Sequence, residues 1–202
     1  MRSLLVALTV ATVLAVAVAA PQDSYPSGVG SVYLDAATGA FRFQAGKVDT
    51  SAVAWGNFTD QTAHPSAFGE LSVHTNAAFN STAQMYAAGY LEGALTVLRT
   101  HQHWQNIQAY VNNNFPDKTM PQNIATWLEN QDAWVRANVA SNSSDLWQQM
   151  GDLYAQFEGL IAGHNAAATA DLQLTRMDMM VINGIGDLLD LIPVRVASAS
   201  VW

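Results

Sequence analysis

Residues 81–98 read STAQMYAAGYLEGALTVL, and here the character of the chain changes from strand to helix. Ser81 and Gln84 have the spacing of a capping box, in which two side chains satisfy the first free N–H groups of a helix. The apolar residues that follow at helical spacing are Ala88, Leu91, Leu95 and Leu98. This pattern predicts an amphipathic helix from Ser81 to about Thr100.

Two further helices are predicted directly after this stretch. A second helical piece begins at His101 and is stopped by Pro116. Thr119 and Gln122 repeat the capping spacing, and Pro121 suits a first helical turn. We therefore expect a third helix that is capped by Thr119 and has Pro121 in its first turn.

The strongest helical period of the chain begins at Ser144. The apolar residues that follow it are Leu146, Trp147, Met150, Leu153, Tyr154, Phe157, Leu160 and Ile161. Further on, residues 177–182 form a compact apolar run that ends at Asn183-Gly184-Ile185-Gly186. We interpret this run as a buried strand leading into a tight turn, after which Asp187 caps a short helical turn.

Short strands are predicted before residue 81. Residues 31–34 and 41–43 flank a turn-forming segment and indicate a hairpin, and residues 53–58 and 71–74 are candidates to extend its sheet. The fold class expected from the whole pattern is α+β, mainly helical after residue 81, with short strands before it.

The amino terminus has the pattern of a cleavable signal peptide. A positive start at Arg2 precedes an uncharged apolar run to Ala20, and Ala17-Val18-Ala19 offers small residues for cleavage. The alternative is an uncleaved membrane anchor, but no basic stop signal follows the run. We therefore assign residues 1–20 to the signal peptide and residues 21–202 to one domain or part of a larger one, with no later segment able to span a bilayer.

Composition narrows the classes of function. The chain has 16 acidic and 8 basic residues and a formal charge of −8, and no basic cluster matches a phosphate backbone, which argues against a nucleic-acid partner. The absence of cysteine from the 202 residues excludes disulfides, thiolate ligands and a cysteine nucleophile within them. Only 12% of residues are charged, so many faces need covering.

Three Asn-x-Ser/Thr sequons are candidate glycosylation sites in a secreted chain. They begin at Asn57, Asn80 and Asn142. The last two fall at predicted loop-to-helix junctions, where the backbone is accessible for glycan transfer. We expect glycan attachment at one or more of them.

Residues with catalytic or metal-binding chemistry do not form a recognisable set. His101 and His103 lie two apart and point to different sides of a helix, and His164 has no acidic residue at ligand spacing, so ordinary surface or core roles are favoured over a metal site. Asp187 and Asp190 share one helical face, yet a capping role explains Asp187 better than acid-base catalysis does. We assign no catalytic residue, metal or cofactor from the residues.

The six tryptophans and the pair Met179-Met180 invite the hypothesis of a lipid or cofactor groove. Most of them occupy apolar positions of predicted helices, so core packing is favoured.

Three segments, taken in order, resemble the phospholipase B-like family of secreted and lysosomal hydrolases. Residues 86–96, YAAGYLEGALT, are similar to a family helix of the form Y-A-A-G-x-x-E-G, followed by His103-Trp104 and Asn106. Residues 154–160, YAQFEGL, are similar to a Gln-x-x-Gly-Leu region, and residues 183–191, NGIGDLLDL, to a G-D-L-x-D-L element.

The resemblance implies the four-layer αββα sandwich of the N-terminal nucleophile hydrolases, matured by autoproteolysis that exposes a catalytic cysteine. In the family that cysteine follows the G-D-L-x-D-L element, and no cysteine occurs before Trp202. The resemblance therefore places this chain on the amino-terminal, propeptide side of such a hydrolase. Its implied partners are a lipid substrate and the remaining carboxyl-terminal catalytic portion.

The alternative from a different class is a secreted, non-catalytic helical glycoprotein that binds an apolar ligand or a protein partner. The aromatic-rich helices and the low charge favour it. On either hypothesis the chain enters the secretory pathway, towards an extracellular or lysosome-like compartment.

Overall fold

The computed structural model describes residues 27–61, 68–115 and 117–199. Within these ranges the strands are β1 (Gly28–Leu34), β2 (Phe41–Ala45), β3 (Ala54–Asp60) and β4 (Gly69–Thr75). The helices are α1 (Ser81–Leu95), α2 (Val97–Asn114), α3 (Gln122–Ser141), α4 (Asp145–Ala167) and α5 (Arg176–Ala199). The predicted α+β class is confirmed, mainly helical from residue 81. The predicted signal peptide, residues 1–20, lies outside the described residues.

The four strands form one antiparallel sheet in the order β2-β1-β3-β4. Val32 of β1 pairs with Phe43 of β2 and with Ala54 of β3, which confirms the predicted hairpin and its extension by residues 53–58 and 71–74. The strand β1 begins at Gly28, three residues before the predicted start at residue 31.

The two faces of the sheet differ because side chains alternate along each strand. One face carries Val32 and Ala54, which pack with Leu91 of α1 in a fully buried cluster. The register places Trp55 and His74 on the opposite face, away from that cluster. Part of this opposite face is covered by the segment after β2, because the Ser31 hydroxyl donates to Lys47 O and accepts from Asp49 N, both at 2.9 Å.

Helix α1 packs between the sheet and α4. Its contact with α4 is unusually close because glycines lie at the crossing from both sides, Gly89 and Gly93 on α1 and Gly159 and Gly163 on α4. At each of these positions an added Cβ would overlap the backbone of the other helix. The close approach of the two helices therefore requires glycine, whose side chain is a single hydrogen atom, at all four positions.

The start and end of α1 differ from the prediction. Asn80, not Ser81, caps the helix, since Asn80 Oδ1 accepts from Ala83 N at 2.8 Å. Gln84 instead donates through Nε2 to Phe79 O at 2.7 Å. The helix ends at Leu95 and not near Thr100, and α2 follows from Val97.

The predicted capping box at the start of α3 is also wrong. Pro121 occupies the cap position, and it makes no side-chain capping hydrogen bond. Gln122 is the first residue of the helix and donates to Thr126 Oγ1 at 3.3 Å, whereas a capping box needs it at the third helical position.

The predicted strand at residues 177–182 is wrong, because this run lies inside α5. Thr175 and Asp178 begin the helix with reciprocal bonds: Thr175 N donates to Asp178 Oδ2 at 2.8 Å, and Asp178 N donates to Thr175 Oγ1 at 3.2 Å. The expected turn at residues 183–186 is helical as well, and Asp187 lies in mid-helix and caps nothing.

A second buried cluster joins α2, α3 and α5. It is built around Ile107, Ile124, Val181 and Leu188. Arg176, at the start of α5, binds Asp132 of α3 through two bonds of 2.6 and 3.0 Å and Glu158 of α4 at 2.7 Å. None of the helices in the described ranges is long and apolar enough to cross a membrane.

Candidate functional site

A cleft of about 1080 Å³ opens between one end of the sheet and the junction of α1 and α2. Its lining is mostly apolar. The apolar side chains that line it include Phe43, Val48, Phe58, Leu95, Leu98 and Leu172. A cleft with these dimensions and this lining suits an apolar ligand.

An ion pair lies in the wall of the cleft. Arg99 donates to Asp60 through Nε at 2.6 Å and through Nη2 at 3.1 Å, and the Asp60 side chain is only 2% exposed. Asp60 ends β3 and Arg99 lies in the first turn of α2, so the break between α1 and α2 at Thr96 brings the two charges together. Because the two charges are paired, they hold the end of β3 against the start of α2 and add no net charge to the cleft wall.

Aromatic and polar groups add to the lining from the sheet. Trp55 of β3 stacks on His74 of β4, with ring centroids 5.8 Å apart and planes 14° apart. Asn57, two residues along β3 from Trp55, also lines the cleft. The cleft thus combines an apolar surface with a small number of polar groups, as ligand sites usually do.

The three sequons occupy different environments. Asn80 is exposed at the start of α1, and Asn142 is exposed at the end of α3, immediately before α4. Both positions agree with the predicted loop-to-helix junctions. Asn57 is half-buried in β3, which is paired on both sides. Attachment of a glycan at any of the three stays a prediction.

The three candidate histidines, His101, His103 and His164, differ in their exposure. His164 is fully buried and its Nε2 donates to Leu172 O at 2.9 Å, so the hypothesis of a hydrogen-bonded core histidine is confirmed. Burial lowers the pKa of His164, and the nearby His101 lowers it further. His103 is exposed. Over the described ranges, no group of three or more His, Asp or Glu is placed to hold a metal ion.

The two candidate carboxylates of α5 are solvent-exposed. Asp187 and Asp190 both lie on the exposed surface of the helix. Glu92 of α1, which sequence reasoning did not single out as functional, is half-buried, and burial raises the pKa of its carboxyl group. In the sequence, only its position between Gly89 and Gly93 indicated burial. A local pattern does not show which other helix packs against these glycines.

The tryptophans only partly meet the expectation of core packing. Trp104 packs against the second cluster and Met179 is fully buried, as expected. Trp134 is 56% exposed and contacts Trp147 edge to face, with centroids 5.4 Å apart, so for Trp134 the prediction is wrong.

Two of the three segments that carry the family resemblance meet in the structure. Residues 86–96 belong mainly to α1 and residues 154–160 to α4, and their glycines form the close crossing of these helices. The third segment, residues 183–191, lies in α5, where Leu188 packs against Ile124 of α3. The segments are therefore distributed over a helical scaffold rather than around a single reactive centre.

Comparisons with known proteins agree with this resemblance. The family model described as Phospholipase B matches residues 54–201. Phospholipase B-like protein B of Dictyostelium discoideum is 34% identical over 123 residues, which are 60% of this chain and 21% of the relative.

Relatives from vertebrates show a similar extent of likeness. Phospholipase-B 81 of Drysdalia coronoides is 36% identical over 112 residues, which are 54% of this chain and 20% of the relative. Phospholipase B-like 1 of Homo sapiens is 33% identical over 114 residues, with the same two coverages. The chain thus spans about one fifth of the length of these curated relatives.

Proposed function

Because this chain belongs to the phospholipase B family, we propose that it is the amino-terminal, propeptide-side section of a hydrolase that cleaves acyl ester or amide bonds of lipids. The proposal places the nucleophile in a further section, carboxyl-terminal to Trp202. It also takes the chain through the secretory pathway to an extracellular or lysosome-like compartment, as a glycoprotein.

The observation that carries this proposal is the apolar cleft beside the family segment of α1. Ala94 and Leu95, which belong to residues 86–96, line the cleft together with Phe43 and Phe58 of the sheet. An acyl chain is an apolar ligand that such a surface can remove from water. The names of the relatives, which are phospholipase B and phospholipase B-like proteins, support lipids as the substrate class.

Covalent cleavage of an ester or amide needs an activated nucleophile and donors for the developing oxyanion. The chain contains no cysteine, and its family relatives are about five times longer than the matched part. Both facts support a division of labour in which this section supplies helices, sheet and acyl-binding surface.

The test is a comparison of the complete reading frame with residues 21–202 expressed alone. We expect the complete protein to release fatty acid from phosphatidylcholine vesicles and the shorter chain to release none. In the complete protein, Val48→Lys, which puts a charge into the cleft lining, should raise KM for the lipid. Leu146→Lys is the matched control, since Leu146 is 64% exposed and outside the cleft. Absence of fatty-acid release from ester and amide lipids alike would refute the proposal.

A second candidate function is binding without catalysis, and the same cleft favours it. With about 1080 Å³ of mostly apolar space, the chain itself can hold an apolar ligand. This candidate predicts that residues 21–202 bind a fluorescent fatty acid stoichiometrically and that Val48→Lys weakens the binding. If the complete protein binds the fatty acid but turns over no lipid, the binding function replaces the hydrolase.

A further inference from the structure

A second cleft, of about 560 Å³, lies between the first turns of α1 and α4 and shares no lining residue with the apolar one. Its rim carries two sequons: Ser81 and Thr82 belong to the one that begins at Asn80, and Asn142 begins the other. Trp147 lines the same cleft. Residues of two sequons and an indole ring thus share one depression.

We propose that this cleft seats the N-linked glycan of Asn142, with its first sugar rings packed on Trp147. The inference rests on the glycosylation of Asn142, which belongs to the proposed function. The occupant is identified by its tether: a glycan that begins at a lining residue is held at high effective concentration next to the cleft.

The chemistry of the lining fits a pyranose ring. A sugar presents C–H groups on its faces and hydroxyl groups on its edges, and an indole offers an apolar face of matching shape. Polar partners lie around Trp147: Gln149 has no hydrogen-bond partner among the described residues, and Asp152 uses only Oδ1, which accepts from Thr82 Oγ1 at 2.7 Å. These groups supply a donor and an acceptor for hydroxyl or acetamido groups.

Asn142 is the better placed of the two attachment points. Its side chain is exposed and its Oδ1 accepts from Ser144 N at 3.0 Å, which leaves Nδ2, the atom that bears a glycan, without a partner in the described part of the chain. Asn80 itself does not line the cleft. A glycan on Asn142 therefore leaves from the lining, whereas one on Asn80 leaves from beside the rim.

A glycan bound on Trp147 would also affect the neighbouring exposed indole of Trp134. Trp134 is 56% exposed and meets Trp147 edge to face, so the two rings form a continuous aromatic surface. A glycan that lies on Trp147 would shield this surface from water and from other proteins.

The test is residue-level oxidative footprinting of the protein secreted from eukaryotic cells, read by mass spectrometry. Three proteins are compared, the unaltered chain, Asn142→Gln and Ser144→Ala. Ser144→Ala also destroys the sequon but keeps Asn142, and Ser144 makes no side-chain capping bond whose loss would perturb α4. Asn80→Asp is the control, because aspartate keeps the oxygen that caps α1 but cannot carry an N-linked glycan, and Trp127 serves as an internal reference.

We expect oxidation of Trp147 to increase about twofold or more in both variants that lose the Asn142 glycan, because a sugar on one face of an indole shields about half of it. Asn80→Asp should leave it unchanged. If Asn142 carries a glycan but loss of that glycan leaves Trp147 equally reactive, the packing of the glycan on Trp147 is refuted while the glycosylation of Asn142 stands. If peptide mapping finds Asn142 unmodified, both the seat and the glycosylation of Asn142 are refuted.

Discussion

Gly93 of α1 and Gly163 of α4 meet backbone to backbone: a Cβ on Gly93 would lie 3.2 Å from the carbonyl carbon of Gly163 and 2.6 Å from the amide nitrogen of His164. A similarly close approach recurs one turn away, where a Cβ on Gly89 would meet the backbone of Gln156 and one on Gly159 would meet the backbone of Tyr86. Helix backbones this close leave no room for side chains between them, so the glycines set the distance at which α4 lies over α1.

Gly93→Ala should destabilise the protein by about 3 kcal/mol, because the new methyl group meets rigid backbone and the helices must separate. Chemical denaturation monitored by circular dichroism measures the loss.

Gly186→Ala on α5 is the matched control. Gly186 has nothing within 4 Å of an added Cβ, and alanine favours helix over glycine, so this variant should be about 0.5–1 kcal/mol more stable. Equal effects of the two substitutions would show that the crossing does not require glycine.

Arg176→Lys should lower the free energy of unfolding by about 1.5–3 kcal/mol although the positive charge is kept. Lysine cannot reproduce the two-pronged contact with Asp132 while also reaching Glu158, so bonds to charged groups are lost. Arg136→Lys is the control, since Arg136 binds the same two carboxylates but is 46% exposed and should cost less than about 1 kcal/mol. Denaturation midpoints in urea would distinguish the two, and an equal loss would count against a special role for Arg176.

Periodic patterns along the sequence were enough to identify the sheet and most helices. The hairpin at Val32 and Phe43 and the helix after Ser144 depend on contacts that repeat every two or every 3.6 residues, which a sequence displays directly. The run at residues 177–182 misled because a short apolar run fits a buried strand and a buried helix equally well. The Thr175-x-x-Asp178 capping spacing just before it was the signal for helix.

The candidate site could not be predicted, for a different reason. Its wall joins Asp60 to Arg99, 39 residues apart in sequence, and the helix crossing joins Gly89 of α1 to Gln156 of α4 across a still longer stretch of chain. Such pairs are chosen by tertiary packing, and neither member carries a local pattern that names its partner. The sequons were visible because they are defined by three consecutive residues, whereas their accessibility depends on the fold.

Glycan occupancy should follow exposure. We expect glycans at Asn80 and Asn142 and little or none at Asn57, because Asn57 lies in a strand paired on both sides and its Nδ2 contacts Thr59 Oγ1 at 3.5 Å. Peptides of the protein are treated with or without a glycosidase in heavy-oxygen water, so that each asparagine that loses a glycan is labelled. Mass spectrometry then reports the glycan occupancy of each site separately. A fully occupied Asn57 would mean that this part of the sheet face is open enough for a glycan.

His164 should make stability fall as the solution becomes acidic. Its Nε2 donates to the Leu172 carbonyl, so the proton of the neutral ring sits on Nε2, and Nδ1 is buried without a hydrogen-bond partner in the described chain. Protonation of Nδ1 would create a buried charge, and for this reason burial lowers the pKa of His164 in the folded state. The ionisable groups near it are His101 and, beyond that, Asp171.

The direction in which stability changes with pH follows from the number of protons that the folded and unfolded chains bind. Below the ordinary histidine pKa of 6.5 the unfolded chain binds a proton that the folded chain refuses, so stability falls from about pH 6.5 downwards until the lowered folded pKa is reached. The slope contributed by one histidine is at most about 1.4 kcal/mol per pH unit. His164→Gln, whose amide can still donate to Leu172 O, should remove this slope from melting curves recorded between pH 8 and pH 5. His103→Gln, at an exposed position, should keep it, and a slope that persists in His164→Gln would assign the acid sensitivity to another group.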